Sequence, residues 1–427
     1  MMFALDGEQT AFGRTLDRML GGADAPGAAR AWAAGDPGPG RALWRRLADA
    51  GVFALAVPET YGSVGPLPVE LAVAYVELGR HAVPGPVVET AATAVLLGAL
   101  AERDGTLVEG GGALAERGGT DPAAPAAPVD PVDPVDSAGR WLPRIASGQA
   151  MVTLGAPQAG PYVLDADAAD AVFVVSGNAL RQATGHGPVQ PSQDPARRLF
   201  RPVCAGPAQA TGPRPDPAVA AAGRADAPGQ VGRPGQATGP SAGPARADGL
   251  RLDGPAVAAA AARAADWAAF ATAAQALGVG LALLERTVAY TRQRSQFGRA
   301  IGSFQAVKHR LADVLVELEF ARPLLYGAAV ALAGGAPGAG AEVAAAKVAA
   351  GEAAYGAARA ALQLHGAIGY TSEYDLSLWL RKARALRSAW GDPAGCRARV
   401  LAAHAARHPV KPEVGGVWHT IGDEAAR

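Results

Sequence analysis

The chain has 427 residues, 49 % of them hydrophobic, with 39 Lys plus Arg balanced by 39 Asp plus Glu. That length suggests two or three domains with a sizeable core, and a formal charge of zero gives no electrostatic case for nucleic acid or an anionic membrane. Two cysteines, Cys204 and Cys396, make no disulfide framework and fit a reducing cytoplasm.

The opening "MMFALDGEQTAFGRTL" has an early acid and no long apolar core, so it does not read as a signal peptide. Residues 1–103 read as a helical domain. Phe3, Phe12, Leu16 and Leu20 fall near helical spacing, and so do Leu43, Trp44, Leu47 and Val52. Pro68 opens another helix striped by Leu71, Val73, Ala74, Val76 and Leu78. Residues 104–140 read as a linker, because "PVDPVDPVD" at 128–136 removes backbone donors and constrains each residue before a proline.

From 141 to 204 the pattern changes to a small middle β-domain. "MVTLG" (151–155), "YVL" (162–164) and "AVFVVS" (171–176) are short, β-branched and bounded by turn residues. Residues 205–249 are mostly Ala, Gly and Pro, with Val219 and Val231 the only larger apolar side chains. Such a segment cannot bury enough surface to offset chain entropy and reads as a disordered insertion.

Residues 250–410 read as an antiparallel helical bundle, followed by a tail over 411–427. Helices are expected near 256–293, from 304 onward, at 341–364 and at 373–390, with a fifth after "GDP" (391–393). Phe304, Val307, Leu311, Val314 and Leu318 form a seam at alternating spacings of three and four. The most apolar run, Val257–Ala262, is too short for a bilayer, which needs about 20 residues. No membrane span and no nucleic-acid partner are expected.

Two stretches carry chemistry. In "YTRQRSQFGRAIGSFQAVKHRLAD" (290–313), Arg294 ends a helix and Phe297–Gly298 follows. A guanidinium donates two parallel hydrogen bonds to a diphosphate, Gly298 and Gly302 permit tight turns, and Gln305 both donates and accepts. The alternative is a helix–loop–helix corner with a solvated Arg. In "LQLHGAIGYTSEYDLSLWLRKARAL" (362–386), Gln363, His365, Gly366 and Gly369 precede a helix start, with Thr371 as its expected cap. His365 taken singly reads as a loop histidine. His309 and His365 are isolated, no pair of histidines has metal-ligand spacing, and no nucleophile elbow occurs.

At these residues the sequence resembles the acyl-CoA dehydrogenase family of flavoproteins. The first stretch is similar to the family's Arg-x-x-Phe-Gly…Phe-Gln signature, and the second to its Gln-x-His-Gly-Gly-x-Gly-Tyr signature, with Ala367 at the second glycine. "GVFALAVPETYGSVG" (51–65) resembles an early family segment. The resemblance implies a mainly α fold with a middle, small β-barrel-like domain, an N-terminal helical domain and a C-terminal helical bundle. It implies bound FAD, a tetramer, an acyl-CoA substrate and an electron acceptor. Carried over, Arg294 binds the FAD diphosphate, Phe297 packs beside the cofactor and Gln305 bonds its adenosine part. Gln363, Leu364, His365 and Gly366 approach the FAD from the neighbouring subunit.

The family desaturates acyl-CoA at the α,β bond, and a Glu removes the α proton. Its two positions fall here on Ala389 or Trp390 in "SAWGDP", and on Ala268 in "ADWAAFA". Neither holds Glu. Asp392 lies two residues from the first position; it is either a substitute base or the cap of the following helix. Asp266 lies two residues from the second, about 200° away around a helix. In the middle domain, Leu154, Gly155 and Ala156 replace the family's Thr-Glu-Pro stretch. The leading expectation is a cytoplasmic flavoprotein subunit that pairs with a Glu-bearing paralogue. The alternatives are a homomer using Asp392 and a scaffold without FAD.

Overall fold

The computed structural model describes residues 4–109, 134–204 and 250–408. The expected insertion at 205–249, the tail at 411–427 and most of the proline repeat lie outside the described residues. Six helices come first: α1 (Gly7–Gly21), α2 (Ala25–Ala33), α3 (Gly38–Asp49), α4 (Pro68–Arg80), α5 (Val87–Glu109) and α6 (Pro134–Ala146). The start of α1 is fixed reciprocally: Asp6 accepts from the Gln9 amide, and the Gln9 side chain accepts from the Asp6 amide.

The segment read as a linker is partly helical. α5 continues to Glu109, and α6 covers 134–146. Proline at a helix start has no bond to lose, so Pro134 opens α6 rather than forbidding it. Buried Ala138, Trp141, Leu142 and Ile145 then supply a helical stripe, and Trp141 packs edge-on to Phe173 at 5.6 Å.

The three expected strands appear as β1 (Val152–Gly155), β2 (Val163–Leu164) and β3 (Ala171–Ser176). They are joined by β4 (Ala179–Gln182), β5 (Gly185–Gln190), β6 (Leu199–Val203) and β7 (Arg251–Asp253). One sheet runs β1-β3-β4-β7, with β1 and β3 parallel, and the other runs β2-β6-β5. Leu180 pairs with Leu252, so residues 251–253, read as part of the bundle, close the first sheet instead.

The bundle contains α7 (Pro255–Gln293), α8 (Gln305–Ala333), α9 (Ala339–His365), α10 (Leu376–Ser388) and α11 (Pro393–Arg407). α7 is long and apolar enough to cross a membrane by composition, but 89 % of its most apolar window is buried inside the protein, which makes it the central core helix. It crosses α4 at backbone contact: a Cβ on Gly79 would meet the Gln275 carbonyl at 2.1 Å, and one on Gly278 the Val76 carbonyl at 1.9 Å. This crossing binds the N-terminal helices to the bundle.

The seam expected along α8 is only half covered. Val314 and Leu318 are buried, whereas Phe304, Val307 and Leu311 are half-exposed. Leu315, Val316, Phe320 and Leu324 on the same helix face outward. The helix expected from 373 starts at Leu376, after a 3-10 turn over Gly366–Tyr370. Thr371 therefore does not cap it; its hydroxyl donates back to the Ile368 carbonyl at 2.9 Å.

Candidate functional site

α7 ends at Gln293, and the amide of the following Arg294 still donates to the Tyr290 carbonyl at 2.9 Å. A two-residue hairpin follows, β8 (Ser295–Gln296) against β9 (Arg299–Ala300). Its turn residues are Phe297 and Gly298, with φ of 53° and 76°. Such primed turns need positive φ at both centres. Gly adopts this freely, but a phenylalanine there costs on the order of 1–3 kcal/mol. The strained ring is 91 % exposed. It meets Phe304 edge-on at 6.2 Å, and the Arg299 guanidinium lies over Phe304 at 4.1 Å.

Arg294 is exposed, and among the described residues its guanidinium has no ion pair or hydrogen bond. Gln305 begins α8 with its side chain exposed, and no side-chain oxygen caps that helix start. An uncapped helix N-terminus next to a free guanidinium suits an anion.

The second segment packs on the last turns of α7. Gln363 is exposed, Leu364 half-buried and His365 4 % exposed, and Gly366 turns the chain at φ 65°. The His365 ring stacks on Tyr290 at 4.1 Å, and the Tyr290 hydroxyl donates to the His365 carbonyl at 3.4 Å. Within one chain the two motifs touch through Tyr290 and His365, because the end of α7 runs beside the end of α9. His365 Nδ1 faces the Ala361 carbonyl at 2.8 Å, and its Nε2 is buried without a partner. Burial lowers its pKa against the opposing carbonyl bond.

These residues fit the diphosphate and adenosine half of a dinucleotide: free guanidinium, free helix end, exposed amides and aromatic ring, and open space around Gly298 and Gly366. The flavin-ring half is poorer. Leu154, Gly155 and Ala156 are all buried and offer no side-chain donor. The nearby Thr153 hydroxyl is buried without a partner.

The candidate base positions come out as follows. Ala268 is fully buried in the core. Asp266 is held by Arg399 at 2.5 and 3.0 Å. Asp392 caps α11, accepting from Ala394 at 2.9 Å and Gly395 at 3.0 Å. The Gly395 amide is the main cause of its lowered pKa, and the exposed carboxylate points along the helix start rather than inward. Of the two readings of Asp392, substitute base or cap, its bonds are those of the cap.

Ala389 ends α10. Trp390 follows at φ 54°, 4 % exposed, and its indole N–H donates to Glu89 Oε1 at 3.0 Å. Glu89 lies on α5, is 3 % exposed and leaves Oε2 without a hydrogen bond. The Arg197 guanidinium stands 3.7 Å from Oε1. Beneath the turn, Lys347 on α9 donates to the carbonyls of Leu386 at 3.0 Å, Arg387 at 3.0 Å and Gly391 at 3.1 Å. Burial lowers its pKa to about 8, while the carbonyl end of α10 favours its charge.

Sequence reasoning passed over Glu89 and Lys347. Each had a signal: Glu89 is a lone acid in the apolar "VVETAATAVLL", and Lys347 a lone charge in "AAAKVAAG". Neither is normally buried without a partner or a task. A third group, Asp17, Glu77 and His81, brings donor atoms within 4.8 Å of one another. It reads as an ion-pair network, since His81 contacts Asp17 at 2.9 Å and Glu77 faces Arg80 at 3.6 Å.

Residues 6–106 match the family model for the acyl-CoA dehydrogenase N-terminal domain, and residues 258–403 the model for its C-terminal domain. Acyl-CoA dehydrogenase IpdE2 of Mycobacterium tuberculosis is 31 % identical over 369 residues, which is 84 % of this chain and 85 % of the relative. Among solved structures, the ChsE4–ChsE5 complex from Mycobacterium tuberculosis aligns with a TM-score of 0.65 at 22 % identity, covering 96 % of this chain and 100 % of the matched chain. Butyryl-CoA dehydrogenase from Megasphaera elsdenii aligns with a TM-score of 0.66 at 19 % identity, covering 95 % and 100 %. At these identities the structural likeness establishes the fold.

Proposed function

The chain belongs to the acyl-CoA dehydrogenase family, and from that premise we propose that it is an FAD-dependent subunit for α,β-desaturation of an acyl-CoA thioester, working beside a Glu-bearing paralogue. The observation that carries the flavin part is the corner between α7 and α8. There an unpaired Arg294 and an uncapped helix start adjoin the strained, exposed Phe297.

Arg294 and the first amides of α8 neutralise the diphosphate. Phe297 covers the cofactor edge, Gln305 bonds its adenosine part, and Gln363 approaches the FAD bound by a neighbouring subunit. The flavin, when bound, accepts the β hydrogen as hydride. The α proton needs a positioned carboxylate, and general-base catalysis of this kind typically contributes about 10²–10⁴-fold. Trp390 and Ala268 supply none, and Asp392 is engaged in a cap. An indole N–H donates but cannot accept a proton. The base is therefore assigned to a partner chain. The outward Leu315, Phe320 and Leu324 favour a partner, and similar folds include the ChsE4–ChsE5 complex and the Tcur3481–Tcur3483 steroid enzyme.

The test is flavin content. Purified with its paralogue, the protein should carry bound FAD, and Arg294→Ala should weaken retention at least tenfold, the loss of a charge-assisted bidentate contact of about 1.4 kcal/mol or more. Unchanged retention in Arg294→Ala removes the diphosphate assignment. A colourless complex that never takes up FAD supports a scaffold instead.

A further inference from the structure

A groove of about 640 Å³ lies between the end of α2 and the β5–β6 hairpin, and none of its lining residues belongs to the α7–α8 corner. We propose that this groove is a binding site for a small monocarboxylic acid with an apolar body, whose carboxylate is taken by Arg198. The site goes beyond the flavin reading and does not depend on it.

Arg198 lines the groove and is only 6 % exposed. Its guanidinium is placed by two rings, Trp32 at 5.5 Å and Phe200 at 5.9 Å. Nη2 donates to Asp167 at 2.6 Å. Nε is buried without a hydrogen bond, and Nη1 makes none among the described residues. Gly35, at φ 89°, follows α2 beside it, and a Cβ there would stand 3.6 Å from Nη1. The glycine thus leaves that edge of the guanidinium without a side chain over it. Unused, buried guanidinium donors are matched by a carboxylate, which accepts two parallel bonds.

The neighbouring charges argue for a single negative charge on the ligand. Asp167 also lines the groove and pairs with Arg198, so a dianion such as phosphate would meet a carboxylate as well as a cation. Asp165 stands 3.6 Å from Nε, but burial raises its pKa to about 7, so it offsets the guanidinium less than Asp167 does. The walls set the rest of the ligand. Pro188, Pro191 and Pro195 have no amide N–H to offer. The Gln190 side-chain N–H is directed to the Pro188 carbonyl at 3.0 Å, and His186 Nδ1 faces the Gly187 carbonyl at 2.8 Å. Beyond Arg198 the groove presents apolar surface with few free donors, which suits a hydrocarbon or aromatic body.

The test is calorimetric titration of the full-length protein with octanoate, octanol and inorganic phosphate. Octanoate should bind wild type at least about tenfold tighter than octanol, which has the body without the charge, and than phosphate, which has the charge without the body. Val189, at the open rim, is 55 % exposed. Val189→Asp sets a further carboxylate there, and Arg198→Met removes the guanidinium; each should weaken octanoate at least about tenfold. No octanoate binding to wild type overturns the proposal. So does octanol or phosphate binding as tightly as octanoate. Unchanged octanoate affinity in either folded variant also overturns it, because the acid then sits elsewhere. Should Arg198→Met fail to fold, the exposed Val189→Asp still decides.

Discussion

Trp32 donates to Asp165 Oδ1 at 2.9 Å, and Arg198 stands 3.6 Å from the same oxygen. Even so, burial dominates and raises the Asp165 pKa from 3.8 to about 7. The linkage follows from where the proton sits. Between about pH 4 and 7 the folded chain holds a proton on Asp165 that the unfolded chain has released. Stability contributed by this group is therefore full at the acid end of that window and is lost as pH rises through it. The slope cannot exceed about 1.4 kcal/mol per pH unit for one group. Asp165→Asn keeps the carbonyl oxygen for Trp32 and removes the titration. Urea melts at pH 5 and pH 7.5 should show wild type losing more stability across the interval than Asp165→Asn. Equal losses would mean that Arg198 holds the carboxylate charged throughout.

The hairpin between α7 and α8 puts two demands on Phe297. Its φ of 53° belongs to glycine, and the ring is 91 % exposed, meeting Phe304 edge-on. Phe297→Gly should relieve about 1 kcal/mol of backbone strain, raising the melting temperature of the flavin-free chain while lowering FAD retention. A variant that melts lower and keeps its flavin would make the ring structural. At this scale the sequence was legible where periodicity and turn chemistry agree. The long helices, the first three strands and the Phe297–Gly298 turn all follow from local pattern. β5 was not legible, because "GHGPVQ" has no β-branched run and is held by pairing with β6. α6 was hidden because its prolines stand at its start and at Pro143. The closed turn at 389–391 was invisible for another reason. Its controlling side chains, Glu89 and Lys347, are 301 and 43 residues from Trp390, and no local pattern joins them.

At the scale of the molecule, several exposed apolar side chains among the described residues gather on α8. Leu315, Val316, Phe320 and Leu324 are 45, 50, 72 and 42 % exposed on a helix whose opposite side is core. Contiguous apolar exposure of this kind marks an interaction surface in a folded chain. The same helix begins at the proposed cofactor corner, so covering α8 with another chain would also bring that chain toward Arg294 and Gln305. Assembly and flavin retention should then be coupled. Phe320→Asp places a charge where an apolar contact is expected, and burying an unpaired charge costs several kcal/mol. Sedimentation of the complex with its paralogue should show wild type as a larger particle and Phe320→Asp shifted to smaller species. Flavin should be lost in the same fractions, although residue 320 lies four helical turns from residue 305. Dissociation with flavin fully retained would show that one chain holds the cofactor unaided. An unchanged particle would mean that the α8 face stays in water.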